Sequence, residues 1–268
     1  MKVDVIISTY NQPRWLQKTL WGYANQSCRD FGLLIADDGS DEETRRLIES
    51  FRAEGFPLRH IWHPDEGFRK TEILNKAVLA SAADYLIFTD QDCVPRSDFV
   101  ATHLAYAEAG RFLSGGYFRL PGEVSKQLTH EDIASGRAFA VAWLVSQGVG
   151  RNFKMTKLFH SAAFARFMNA MTPTRATWNG CNASCFREDL LAVNGFNEQM
   201  RYGGEDREFG ERMSNRGIRG KQLRYSAVCL HLYHERPYKS AKAIQANDLI
   251  RKEVRRQKVT WTPYGIVK

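Results

Sequence analysis

The sequence predicts an α/β protein, with a mostly parallel sheet in its first part and a smaller, less regular half behind it. Three observations predict this. Short apolar runs alternate with helical patterns at the spacing of βα units through the first 95 residues. Polar clusters follow three of those runs, at the carboxyl ends of strands, where open α/β sheets bind their ligands. A hydrophobic content of 43% over 268 residues is ample for one large or two small cores, and no repeat, low-complexity tract or Gly/Ser linker interrupts the chain.

The elements follow in order. Val3 to Ser8 reads as a first strand, and Pro13 suits the first turn of a helix that puts Trp15, Leu16, Thr19, Leu20 and Tyr23 on one face. Phe31 to Ala36 is the next strand. Ser40-Asp41-Glu42-Glu43 reads as a capping box, with Ser40 as the cap, ahead of Leu47, Ile48 and Phe51. Leu58 to Trp62 is a third strand, and Thr71 to Ala82 a helix burying Ile73, Leu74, Ala77 and Val78. Tyr85 to Thr89 is a buried strand that runs into Asp90-Gln91-Asp92. The result is a Rossmann-like mononucleotide-binding half. Past Arg111 the pattern loosens. Ser114 to Phe118 suggests a strand and bend, and Tyr225 to Leu230 a late strand. Phe153, Phe159, Phe164 and Phe167, in the basic stretch from Arg151 to Met171, are expected in the core, with a groove or membrane contact as the alternative.

Several classes are excluded. No Gly-x-Gly-x-x-Gly follows the first strand, which argues against an NAD or FAD enzyme, and no P-loop motif is present. The amino-terminal apolar run contains Asp4 and is too short for a signal peptide. The stretch from Ala138 to Val145 cannot span a bilayer, so a soluble, cytoplasmic protein is expected. Cys28, Cys93, Cys181, Cys185 and Cys229 form no Cys-x-x-Cys pair and are expected as reduced, mostly buried thiols without zinc. The net charge is +8. From Arg236 to Lys268 nine Lys/Arg stand against two acids, a local +7. Such a tail could meet anionic phospholipid, a polyanionic glycan or nucleic acid, or be a solvated helix face.

The polar clusters carry the chemistry. Asp90 and Asp92, one residue apart after a buried strand, suit a hard divalent cation that bridges carboxylates to phosphates. Ser8-Thr9-Tyr10-Asn11 and Asp37-Asp38-Gly39-Ser40 end the first two strands on the same sheet edge. A carboxylate there could accept a nucleobase imide N–H, or the cluster is an ordinary turn and cap. In Arg201-Tyr202-Gly203-Gly204-Glu205-Asp206-Arg207-Glu208 two glycines let the backbone approach a ligand, and the acids exceed the needs of a turn. Glu208 reads as a helix-surface charge. His231-Leu232-Tyr233-His234 places two imidazoles three residues apart.

Val5-Ile6-Ile7-Ser8-Thr9-Tyr10-Asn11, Ile35-Ala36-Asp37-Asp38-Gly39-Ser40, Gly67-Phe68-Arg69-Lys70 and Asp90-Gln91-Asp92, in this order, resemble glycosyltransferase family 2, nucleotide-sugar enzymes of the GT-A fold. The Gly203-Gly204-Glu205-Asp206 segment is similar to the carboxyl-terminal signature of galactosyltransferase family 7. The resemblance implies one GT-A domain over residues 1–268: a nucleotide-binding half (1–95), a donor-sugar and acceptor half (96–235) and a basic helical tail (236–268). It implies that Thr9, Tyr10 and Asp38 contact the nucleoside and that Asp90 holds the ribose or supports the metal. Arg69 or Lys70 would reach the diphosphate, unless they lie in a solvated loop. Asp92 would bind the ion, Mn²⁺ or Mg²⁺, with His234 as first and His231 as second choice of late ligand. Imidazole beside carboxylates suits Mn²⁺ better. Asp206 becomes the general base, Glu205 and Tyr202 the acceptor contacts, and Trp178 and Asn182 the donor-sugar pocket, with Trp178 equally placed for the core.

The expected activity is inverting, metal-dependent transfer from a UDP-sugar to a glycan or glycolipid hydroxyl, in bacterial surface polysaccharide or lipopolysaccharide synthesis. The basic tail would hold the enzyme at the anionic inner leaflet, which fails if the protein ignores anionic vesicles at physiological salt. The rivals are a non-catalytic nucleotide- or glycan-binding module and a nucleotidyltransferase. A nucleic-acid binder is a distant third, without a recognisable module, and no nucleic-acid partner is expected.

Overall fold

The computed structural model describes residues 1–235 and 240–268. Eight strands form one sheet: β1 (Val3–Thr9), β2 (Gly32–Asp37), β3 (Leu58–Trp62), β4 (Tyr85–Asp90), β5 (Cys93–Pro95), β6 (Arg111–Arg119), β7 (Ala183–Phe186) and β8 (Arg219–His231). Their order is β3-β2-β1-β4-β7-β6-β8-β5. The first four strands pair in parallel, as the βα spacing predicts. β7 then runs antiparallel to β4 and β6, β6 is parallel to β8, and β5 closes the far edge antiparallel to β8.

All of β1 is buried because helices cover both faces of the parallel half. Alternation along the strand divides the core. Val5 and Ile7 face a layer with Leu16, Leu20, Tyr23 and Ile48, while Ile6 faces one with Ile73, Val78 and Phe88. Asp4, the acid in this strand, is held by Ser81 at 2.6 Å and Arg59 at 3.1 Å. The helices Pro13–Ala24, Glu42–Ala53 and Lys70–Ala80 fall where the periodicity places them. One cap moves by a residue. Asp41, not Ser40, caps Glu42–Ala53 by accepting the Thr44 N–H at 3.1 Å, because Ser40 Oγ accepts the Asn11 N–H at 2.9 Å.

The second half corrects two expectations. Phe153 and Phe167 are exposed to 70% and 61%, so the core of the 151–171 stretch rests on Met155, Leu158 and Ala165 instead. Their backbone lies in a short 3-10 helix, Phe153–Leu158, and the helix Ala162–Met171, whose outer face carries Phe167 and Met171. The first four residues of the expected basic tail lie outside the described residues. Beyond them the helix Ala241–Gln257 packs on the helix Glu205–Asn215, where Arg251 and Arg255 both reach Glu211 at 2.7 Å. Part of the tail's charge is therefore spent inside the protein. Among the described residues no helix is long and apolar enough to cross a membrane. Cys93, Cys181, Cys185 and Cys229 are buried free thiols, and Cys28 is partly buried.

Candidate active site

The carboxyl ends of β1, β2 and β4, the end of β8 and the start of the helix Glu205–Asn215 converge on a cleft of about 1540 Å³. That exceeds the ~300–1,000 Å³ of a usual single-ligand pocket and leaves room for two substrates.

At the β1–β2 end, Gln91 holds the Thr9-Tyr10 backbone. Its Oε1 accepts the Tyr10 N–H at 2.9 Å and the Thr9 hydroxyl, and its Nε2 donates to Tyr10 O at 3.1 Å. The Tyr10 hydroxyl donates to Asp65 at 2.8 Å, and that bond raises the phenol's pKa. Asp38 is buried between His63 Nε2 at 2.7 Å and the backbone N–H of Arg69 at 2.9 Å; burial pushes its carboxyl up against both. The Arg69 guanidinium turns away, to Glu66 at 3.0 Å, Glu72 at 3.3 Å and Pro64 O at 2.8 Å. Of the two basic residues expected at the diphosphate, Lys70 alone lines the cleft.

Lys70 Nζ donates to Asp90 Oδ1 at 2.7 Å, and Ser8 Oγ donates to the same oxygen at 2.6 Å. Burial opposes the Lys70 charge, but Asp90, Asp206 and Glu205 together hold its pKa well above the ordinary lysine value. Across from it, Gly204 in the left-handed region (φ 93°) caps the helix that starts at Glu205. Burial and the neighbouring Asp206 push the Glu205 carboxyl up to about 7, while its Oε2 accepts the Gly203 N–H at 2.7 Å. Burial also raises Asp206, with Asp90 adding to it and Lys70 opposing. Asp206 Oδ2 accepts one N–H, from Gly180 at 3.2 Å, and its buried Oδ1 accepts none. Tyr202 lines the cleft beside this pair, edge-on to Phe68 at 5.8 Å.

Asp92, His231 and His234 bring three possible ligand atoms within 4.8 Å of one another. Burial would raise Asp92, but the two imidazoles more than offset it and leave the carboxyl below its ordinary value. Oδ2 lies 3.0 Å from His234 Nε2 and 3.5 Å from His231 Nδ1, yet it is buried without a well-formed hydrogen bond. A buried carboxylate oxygen left open between imidazoles fits a cation such as Mn²⁺. His234 Nδ1 sits 2.9 Å from Glu235 O, and its Nε2 faces Asp92. His231 Nδ1 is 3.0 Å from Leu232 O.

Of the two expected donor-sugar residues, Trp178 lines the cleft and Asn182 does not. Asn182 is fully buried, and its Nδ2 donates to Gly116 O at 2.7 Å and Ala227 O at 3.0 Å. It braces β6 against β8 where their register shifts between Gly115 and Gly116. Trp178 is 1% exposed, packed edge-on to Phe88 and Phe209 beneath the cleft. Glu208 is not a surface charge either. It is fully buried and paired with Arg212 at 2.7 Å. Sequence reading also passed over Gln91, His63, Gly180 and Asn247. Asn247, on the helix Ala241–Gln257, donates to Arg201 O at 2.7 Å and Gly203 O at 2.9 Å and so fixes the glycine loop.

The sequence matches the profile of Glycosyl transferase family 2 over residues 4–172. The chain belongs to this family. Residues 161–235 also match a profile described as the N-terminal domain of galactosyltransferase. The uncharacterized glycosyltransferase YfnE of Bacillus subtilis is 26% identical over 92% of this chain and 69% of its own length. The chondroitin synthase of Escherichia coli is 24% identical over 88% of this chain, which spans only 35% of that protein. The validoxylamine A glucosyltransferase of Streptomyces hygroscopicus subsp. jinggangensis is 28% identical over 81% of this chain and 52% of its own length. Among solved structures, S. aureus TarS 1-349 in complex with UDP-GlcNAc superposes with a TM-score of 0.65 at 17% identity, covering 96% of this chain and 69% of that one. The mannosyltransferase PcManGT from Pyrobaculum calidifontis, in complex with GDP-Man and Mn²⁺, gives 0.60 at 18%, covering 88% and 58%. The fold is GT-A, and the protein is a glycosyltransferase.

Proposed function

We propose that this glycosyltransferase moves a sugar from a UDP-sugar to a hydroxyl of a glycan or glycolipid acceptor, with inversion and with a divalent metal. The reading extends to acceptors of the bacterial surface, polysaccharide or lipopolysaccharide, which the chondroitin synthase relative supports as a class. Thr9, Tyr10 and Asp38 would meet the nucleoside, and Asp92 with His234, backed by His231, would hold the metal, Mn²⁺ in preference to Mg²⁺. When bound, that metal supplies Lewis-acid neutralisation of the charge on the departing diphosphate. Lys70, kept protonated by the surrounding carboxylates, adds a fixed positive charge beside Asp90.

Asp206 takes the proton of the acceptor hydroxyl as that oxygen attacks the anomeric carbon. The carbon–oxygen bond to UDP breaks, its electron pair leaves with UDP, and one displacement inverts the centre. Glu205 and Tyr202 hold the acceptor. The observation that carries this reading is the Asp206 carboxylate itself: it lines the same cleft as Lys70 and Asp90, burial raises its pKa, and one of its oxygens has no hydrogen-bond partner, which a purely structural acid would not need.

Calorimetry with UDP in Mn²⁺ and in EDTA, on the wild type and on Asp92→Ala, tests the donor and metal assignments. The expected result is binding that needs both the metal and Asp92. Binding of GDP in place of UDP would reject the uridine assignment, and equal binding in EDTA would reject the metal.

A further inference from the structure

The cleft carries charge of both signs. Asp38, Asp90, Asp92, Glu205 and Asp206 line it, and so do Arg119, Lys154, Lys157, Arg175 and Arg224, of which Arg224, Lys154 and Arg119 act on Lys157. Among the described residues none of these five cations forms an ion pair with a carboxylate. Arg69, Arg96, Arg212 and Arg251, by comparison, each find an acid. The sequence makes the imbalance possible. From Ile133 to Arg187 seven Lys/Arg occur without one Asp or Glu, although 30 acids in 268 residues would put about six there.

The middle of the cluster is built around Tyr117. Lys157 Nζ donates to Tyr117 O at 3.0 Å and lies 5.6 Å from the centre of its ring, and the Arg119 guanidinium lies 5.4 Å from the same ring. Arg224 is steadied by the Thr174 hydroxyl at 3.2 Å. Burial, and after it the positive charges of Arg224 and Lys154, lower the Lys157 ammonium to about 8. Like charges gathered in a concave site without counter-charge are costly, and a bound anion removes that cost. Guanidinium forks suit phosphate and carboxylate oxygens, and a half-buried ammonium adds a point charge.

Resting on the glycosyl-transfer reading above, we propose that this cluster is the acceptor subsite for an anionic group, so that the acceptor glycan carries a phosphate or a carboxylate close to the hydroxyl that is glycosylated. Tyr117 tilts against His231 with ring centres 5.5 Å apart, so the subsite adjoins the Asp92–histidine group without being part of it. Phosphate oxygens could also come from the donor, and the test separates the two sources.

The enzyme is first saturated with UDP and Mn²⁺ and then titrated with glucose 6-phosphate, glucuronate and glucose. At least one charged sugar is expected to bind tenfold or more tightly than glucose, with an advantage that shrinks as salt rises. Lys157→Met together with Arg224→Met is expected to abolish that advantage and to change UDP affinity less than twofold. Arg119→Gln, at the exposed rim, provides a milder variant expected to weaken the charged sugar several-fold should the double variant fail to fold. Charged sugars no better than glucose would overturn the proposal. A loss of UDP affinity as large as the loss of charged-sugar affinity would overturn it too, by assigning the cluster to the donor diphosphate. Absence of UDP binding in the wild type would instead strike the donor reading, a separate failure.

Discussion

Two acids two residues apart on one helix receive opposite treatment. Glu208 is fully buried and meets Arg212 through two hydrogen bonds, at 2.7 and 2.9 Å, and Arg212 spends its other N–H groups on the carbonyls of Val193 and Gly195. Asp206 is given a single backbone N–H from Gly180 and a buried Oδ1 with no hydrogen-bond partner, and the cation that acts on it most, Lys70, already serves Asp90. The first carboxylate is neutralised, and it ties the helix to the loop at Val193–Gly195. The second is left short of partners at a cleft, and burial raises its pKa, which leaves it able to take a proton. Position in the helix does not separate them. What separates them is whether the fold supplies a partner.

The comparison breaks most visibly at Glu208. Glu208→Ala strands a buried guanidinium, and equilibrium urea unfolding should show a loss of about 3–5 kcal/mol. A loss under 1 kcal/mol would mean that the pair holds nothing. Glu205→Gln sharpens the other side. The folded carboxyl titrates near 7 against an ordinary 4.5, so the native state binds its proton more tightly than the unfolded chain. Stability is therefore lost as pH rises from 4.5 to 7, and Gln removes that loss. Its gain should be nil below pH 4.5 and reach at most about 3 kcal/mol at pH 8. A gain independent of pH would contradict the shift. The smallest effect is expected at Gly180, where a Cβ would lie 2.5 Å from both Asp206 oxygens. Gly180→Ala should lower turnover about 10- to 100-fold by displacing the carboxylate, with Mn²⁺-dependent UDP affinity unchanged. Unchanged turnover would show that the seat of Asp206 is not critical.

The parallel half was legible because its signals are local. Each strand is a short apolar run, each helix repeats its apolar face, and Thr9, Asp38 and Asp90 sit where those runs stop. The irregular half offers no such period. Asn182 lies beside Trp178 in a segment that reads as a ligand pocket, yet its amide is consumed by carbonyls of β6 and β8, strands far away in sequence. Glu208 and Arg212 stand i, i+4 on a polar helix, a spacing equally typical of solvated pairs, and only the carbonyls of the Val193–Gly195 loop show that the pair is interior. Phe153 and Phe167 are exposed because the short helices around them bury Met155, Leu158 and Ala165 instead. Arg69 and Lys70 are neighbours in sequence, and the acids Glu66 and Glu72 decide which of them turns from the cleft.

The most direct test is Asp206→Asn, read three ways on one preparation: UDP release from a panel of UDP-sugars with Mn²⁺, UDP affinity, and melting temperature. The account predicts release slowed by about 10²–10⁴, UDP affinity within twofold of wild type, and a melting temperature at or above it. Full turnover in the variant, or turnover and UDP binding lost together, would contradict the assignment of Asp206 as the base.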